Sequence, residues 1–176
     1  MNPVQKIDQA FRQFDFAIKF VSFVSRRKVE LSELDTTAEV HIGGENVRVE
    51  GSTFRDYDDL VSAAHRNFMI TMGMTATALE SAFTGANIPA DPRRLDPAAD
   101  LRSLVWMICC AFRQDPMAPT WEIRTRFARV FNLRLDGVPP DVDLRTKDKS
   151  EFKVEDIGGV KGLIAIKNEV KRILTP

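Results

Sequence analysis

Apolar residues in the chain fall into two kinds of pattern, and each kind predicts its own elements. Val4, Ile7, Phe11, Phe14, Ile18 and Val21 recur at alternating three- and four-residue spacing, with Phe16, Phe20 and Phe23 widening the stripe. That period predicts an amphipathic helix over residues 3–27, with Asn2 as its cap and Pro3 in its first position. The basic cluster Arg26-Arg27-Lys28 then falls in the last turn, where cations favour the helix dipole and face solvent. Between Ala38 and Glu50 the period drops to two: Val40 and Ile42 precede Gly43-Gly44-Glu45-Asn46, and Val47 and Val49 follow, which predicts a hairpin. Helical spacing returns in Tyr57, Val61, Ala64, Phe68, Met72, Thr75, Leu79 and Phe83, with Thr53 and Asp56 as a capping box and Gly85 as the stop.

The segment from Gly85 to Leu95 is rich in Pro, Arg and Asp and reads as a loop. Asp96 and Pro97 open a third helix, apolar nearly all round from Leu101 to Phe112, Trp106 included, which predicts the most buried element. Past Pro116 and Pro119 the odd positions Trp121, Ile123, Thr125, Phe127, Phe131, Leu133 and Leu135 are mostly apolar, and Glu122, Arg124, Arg126 and Arg134 stand at even ones. Period two predicts one long bent strand, or two short ones broken near Ala128-Arg129. A Gly137-Val-Pro-Pro-Asp141 turn leads to Phe152 and Val154, and Leu163, Ile164, Ile166, Val170, Ile173 and Leu174 mark a last helix over about 160–173. The predicted architecture is mainly α with an α+β character: a bundle of about four helices with a β-hairpin and additional short strands, in one domain spanning 1–176.

Composition changes this picture little. The 176 residues are 44% apolar, and 25 basic side chains balance 25 acidic ones, so no global field draws the chain to nucleic acid or membrane. The amino terminus has no basic-then-apolar leader, and the run Phe16–Val24 is short and interrupted by Lys19, so neither signal peptide nor membrane span is expected. The two cysteines, Cys109 and Cys110, are adjacent on one helix, where their side chains project about 100° apart and cannot form an unstrained disulfide. Two buried thiols fit a reduced, cytoplasmic setting.

Candidate chemistry is sparse. Two histidines on different elements and two adjacent cysteines do not make a metal set, and no metal or cofactor is expected. Gly43-Gly44 and Gly158-Gly159 lack the spacing of a phosphate-cradling loop and read as turns. Burial of the cysteines in the most apolar helix argues against a nucleophilic thiol. His65, beside the apolar stripe, is the histidine with a bundle environment, and His41 on the hairpin faces solvent. Arg124, Arg126 and Arg134 share one face of the predicted strand region and are candidate nucleic-acid contacts.

The long helix ending near Ser81-Ala-Phe83, the crossover, and then Asp-Leu-Arg-Ser-Leu-Val-Trp-Met-Ile-Cys-Cys-Ala-Phe-Arg-Gln-Asp-Pro (residues 100–116) with Trp-Glu-Ile beyond resemble the bacterial HEPN-like helical domains over roughly residues 54–127. The resemblance implies a helical bundle, often dimeric, whose active members cleave RNA without metal through an Arg-x4-6-His motif near the end of the last long core helix. Here the arginine of that motif falls at or near Cys109 and the histidine at or near Gln114. Gln114 does not titrate and Arg113 stays protonated, so the acid–base pair is missing from that position. The expected function is therefore a non-catalytic HEPN-like binding or regulatory module, a homodimer whose partner is RNA or protein. The alternatives are a metal-free endoribonuclease with a displaced site built from Arg113, Gln114, Asp115 and His65, and a structural assembly protein.

Overall fold

The computed structural model describes residues 1–94, 96–139 and 141–175. Leu95 and Pro140, which belong to the predicted 85–95 loop and 137–141 turn, lie outside the described residues. In chain order the elements are α1 (Pro3–Ser25), α2 (Leu31–Leu34), β1 (Ala38–Ile42), β2 (Glu45–Val49), α3 (Tyr57–Gly85), α4 (Pro97–Ala111), β3 (Val130–Asn132), β4 (Asp141–Asp143) and α5 (Gly159–Leu174). The mainly α bundle with small strands is the predicted class. No helix of the described residues is long and apolar enough to cross a membrane.

α1 begins as its sequence dictates. Asn2 Oδ1 accepts from the Gln5 amide at 2.8 Å, and Gln5 Oε1 accepts from the Asn2 amide at 3.0 Å, a reciprocal capping box. The helix stops at Ser25, earlier than predicted, because Arg27 takes a left-handed backbone at φ 51°. Arg26-Arg27-Lys28 thus follows the helix, and the Arg27 guanidinium lies 4.7 Å over the Tyr57 ring while the Tyr57 hydroxyl donates to Val24 O at 2.8 Å. That clasp joins the end of α1 to the start of α3.

The hairpin pairs β1 and β2 in antiparallel register from Ala38↔Val49 to Ile42↔Glu45, so the loop is two residues, narrower than the predicted four. Gly43 and Gly44 carry φ 61° and 91°, the left-handed pair that such a turn requires. α3 is capped by Asp56 alone, whose side chain accepts from the Asp59 amide at 2.9 Å. Thr53 does not cap it: its hydroxyl donates to Glu50 O at 3.4 Å and its amide to the Asp35 carboxylate at 2.8 Å. The far end runs through Gly85, which is helical; Asn87, at φ 56°, supplies the left-handed residue in its place.

α4 starts on the predicted Asp96 and Pro97, and from Ala99 to Ala111 every residue but Trp106 is buried. α1 and α3 lie along each other, α4 packs against α3, and α5 closes the bundle against α3 and α1. The main core joins Ile7, Phe11 and Phe14 of α1 to Met72, Leu79 and Phe83 of α3, most of α4, and Leu163, Ile166 and Val170 of α5. A smaller cluster around Val24, Leu60 and Ala64 lies under the Tyr57 clasp.

The predicted long strand over 121–135 is not formed. Burial does alternate at Trp121, Ile123, Phe131 and Leu133, but only Val130–Asn132 belongs to a ladder, paired with β4, and Thr125–Phe127 is a 3-10 turn. The extended stretch before that turn is tied to the loop at 148–152: the Trp121 amide donates to Ser150 O at 2.8 Å, the Lys149 amide to Trp121 O at 2.8 Å, and the Phe152 amide to Pro119 O at 2.9 Å. Period two therefore reports an extended chain laid over the core, which needs no sheet.

Candidate functional site

Trp106 is the half-exposed residue in the otherwise buried run of α4. Its indole packs on Phe127 with ring centroids 4.8 Å apart. The 3-10 turn Thr125–Phe127 is what sets this geometry: it buries Phe127 and leaves Arg124 and Arg126 exposed on either side. The Arg124 guanidinium lies 5.2 Å from the indole centroid and that of Arg113, just past the end of α4, lies 6.0 Å from it. Arg126 stands 5.4 Å over the Phe127 ring. Three arginines and the Trp106 indole thus share one surface, with the buried Phe127 ring packed behind them.

None of these three guanidiniums makes an ion pair among the described residues. Arg102 and Arg129 behave differently. Arg102 is buried and grips the Glu80 carboxylate with both terminal nitrogens, Nη2 to Oε1 at 2.9 Å, while its Nε donates to Ile88 O at 2.7 Å. Arg129 Nη1 lies 2.6 Å from Asp100 Oδ1, and Asp100 Oδ2 accepts the Asn132 amide at 3.0 Å. The inner arginines are consumed by the fold, whereas the outer three keep their donors for an external anion.

Two hollows open among these arginines. One, of about 500 Å³, is lined by Trp106, Arg126 and Phe127 together with Thr84, Asn87 and Pro89. The other, of about 230 Å³, is lined by Arg113, Arg124 and Lys149, with Glu122 and Asp148 on its wall. Asp148 is engaged, since its Oδ1 accepts the Ile123 amide at 2.8 Å, and Glu122 lies 4.0 Å from Lys149.

Of the residues named from the sequence, Arg113, Arg124 and Arg126 converge here. Arg134 does not join them: it is exposed at φ 51° beyond β3 and stacks on neither ring. Gln114 is exposed at the corner, and Asp115 builds that corner, its Oδ1 accepting the Met117 and Ala118 amides at 2.8 and 3.2 Å. His65 is exposed on α3 and bonds back to Val61 O at 2.9 Å. It precedes Gly73, where Phe112 packs, by eight residues, or about 12 Å of helix, so the proposed grouping with Arg113 and Asp115 is not assembled. His41 bonds to Asn46 on the hairpin at 2.9 Å.

Both thiols are buried. Burial pushes the Cys109 thiol up, and pushes Cys110 up to about 11 despite the guanidiniums of Arg113 and Arg124 nearby, so both are protonated at neutral pH. Among the described residues no three His, Cys, Asp or Glu side chains gather as a metal set. Sequence reading missed Trp106 as a surface residue, although the signal was there. Trp106 and the exposed Arg113, seven residues apart, share one line of helical spacing, which marks the side of α4 that reaches water. Neither a family model, a curated protein nor a solved structure matches the chain.

Proposed function

We propose that the protein is a non-catalytic, HEPN-like binding module that takes single-stranded RNA on the face formed by Trp106, Arg113, Arg124 and Arg126. The observation that carries this reading is a set of three guanidiniums without carboxylate partners, those of Arg113 and Arg124 beside the partly exposed Trp106 indole and that of Arg126 over the Phe127 ring packed against it. Single strands are held where cations meet the phosphates and an aromatic ring meets a base, and this surface offers both, with Trp106 as the ring. RNA as the target rests on the likeness of residues 54–127 to HEPN-like domains. Binding is preferred to cleavage because neither His41 nor His65 lines either of the two hollows. The same reading has the chain acting as a homodimer in the cytoplasm.

A labelled oligouridine followed by anisotropy tests the proposal. Affinity should fall as salt rises, and the Arg124→Glu, Arg126→Glu variant should flatten that slope by about 0.7 for each single-strand phosphate it no longer neutralises. Trp106→Ala should weaken binding by roughly 1–3 kcal/mol, the value of one stacked base. Absence of binding at low salt, or an unaltered affinity in both variants, would refute it. Sedimentation of the same samples gives twice the 19.9 kDa chain mass for a dimer and the chain mass if the dimer is wrong. Loss of full-length RNA in EDTA, abolished by Arg113→Ala, would establish the nuclease alternative instead.

A further inference from the structure

A third concavity, of about 600 Å³, runs between α1 and α3 and reaches the end of α4. Its α3 wall extends from Ile70 to Ser81, about 16 Å at the helical rise, and the opposite wall is the Lys6-to-Gln13 flank of α1. Ile70 and Met74 line it and remain 36% and 49% exposed, large apolar side chains left in water. The floor is apolar because of one glycine. A Cβ at Gly73 would stand 2.9 Å from Phe112 Cδ1, so the Phe112 ring lies directly against the α3 backbone. Polar groups on this floor are already quiet: the Thr77 hydroxyl donates to Gly73 O at 3.0 Å, and burial keeps the Cys109 thiol neutral.

The charge on the wall has one sign. No aspartate or glutamate lines the groove among the described residues, and its charged side chains are Lys6 and Arg113, neither of which makes an ion pair there. We propose that this groove binds a small aliphatic carboxylate, with its alkyl chain along Ile70, Met74 and Phe112 and its anionic end held by Lys6 and Arg113. An apolar trough of this volume with a few polar groups on its wall is the usual form of a small-molecule site, and two cations with no carboxylate on that wall select an anion over a cation. The assignment does not depend on RNA binding. Lys6 and Ala78 lie in the groove and away from the Trp106 face, so their variants probe it alone.

Octanoate, octan-1-ol and acetate titrated into labelled protein separate the contributions of chain and charge. Octanoate should give saturable shifts at Ile70 and Met74, octan-1-ol should bind about tenfold more weakly, and acetate should leave those signals in place. Lys6→Ala, a surface change that leaves the core intact, should weaken octanoate several-fold, and Ala78→Phe, which fills the trough, should abolish it with an unchanged circular dichroism spectrum. The proposal is overturned if octanoate gives no saturable shift at millimolar concentration, if octan-1-ol binds as well as octanoate, or if Lys6→Ala leaves the affinity unchanged.

Discussion

Arg102 shows how much of this protein is decided by single side chains. It sits on the most apolar helix, 4% exposed, with each of its three nitrogens donating once, to Glu80 or to Ile88 O, and its guanidinium 5.2 Å over the Phe83 ring. Removing Arg102 leaves the mostly buried Glu80 carboxylate with only the Thr84 hydroxyl, at 3.3 Å, among the described residues. Arg102→Ala should therefore cost about 3 kcal/mol, seen as a lower urea midpoint at unchanged slope, whereas replacing Arg102 and Glu80 together by methionine should cost much less. A midpoint shift of only a few tenths of a kcal/mol in the single variant would show that the pair is solvated. The residue scale is also where the sequence is least legible. Composition shows Arg113, Arg124 and Arg126 as cations, but the company of Arg124 with Trp106 and of Arg126 with Phe127 depends on a turn at Thr125–Phe127 that no period signals.

At the scale of elements, legibility follows the range of the forces involved. The start of α1 and the start of α4 are readable because Asn2 with Gln5, and Asp96 with Ala99, close their caps within a few residues. The stretch 119–135 misleads because alternation of burial is common to a strand and to any extended chain draped on a core. What holds that stretch is polar. The Asp156 carboxylate accepts Trp121 Nε1 at 2.9 Å, Lys147 Nζ at 2.7 Å and the Lys153 amide at 3.2 Å. Burial raises the pKa of Asp156, but the Lys147 and Trp121 hydrogen bonds outweigh it and leave the group below its ordinary value of 3.8. A lowered folded-state pKa contributes stability that is complete above the unfolded value and is lost as pH falls through the folded one. Asp156→Asn should lower the melting temperature at pH 6 and narrow the gap to the wild type near pH 3. A gap that stays constant across that range would remove Asp156 from the acid response.

The whole molecule divides its apolar surface unevenly. Helices α1, α3, α4 and α5 enclose the main core, and the Tyr57 clasp seals the smaller one, so the helical periods by themselves make the bundle visible. The four-residue helix α2 escapes them, since a single turn is too short to show a period. The hairpin lies outside this economy. All ten residues of β1 and β2 are exposed, including Val40, Ile42, Val47 and Val49, and the Asp35 carboxylate, accepting the Thr53 and Phe54 amides at 2.8 and 2.9 Å, fixes only the chain that leaves its base.

A two-stranded ribbon with no core beneath it is marginal in water, so it opens without waiting for the bundle to unfold. Time, not shape, will reveal this. In deuterated water the amides of β1 and β2 should exchange orders of magnitude sooner than those of Leu104 to Ile108, which are released only when the whole core opens. Equal protection of the two sets would mean that a partner covers the ribbon in solution.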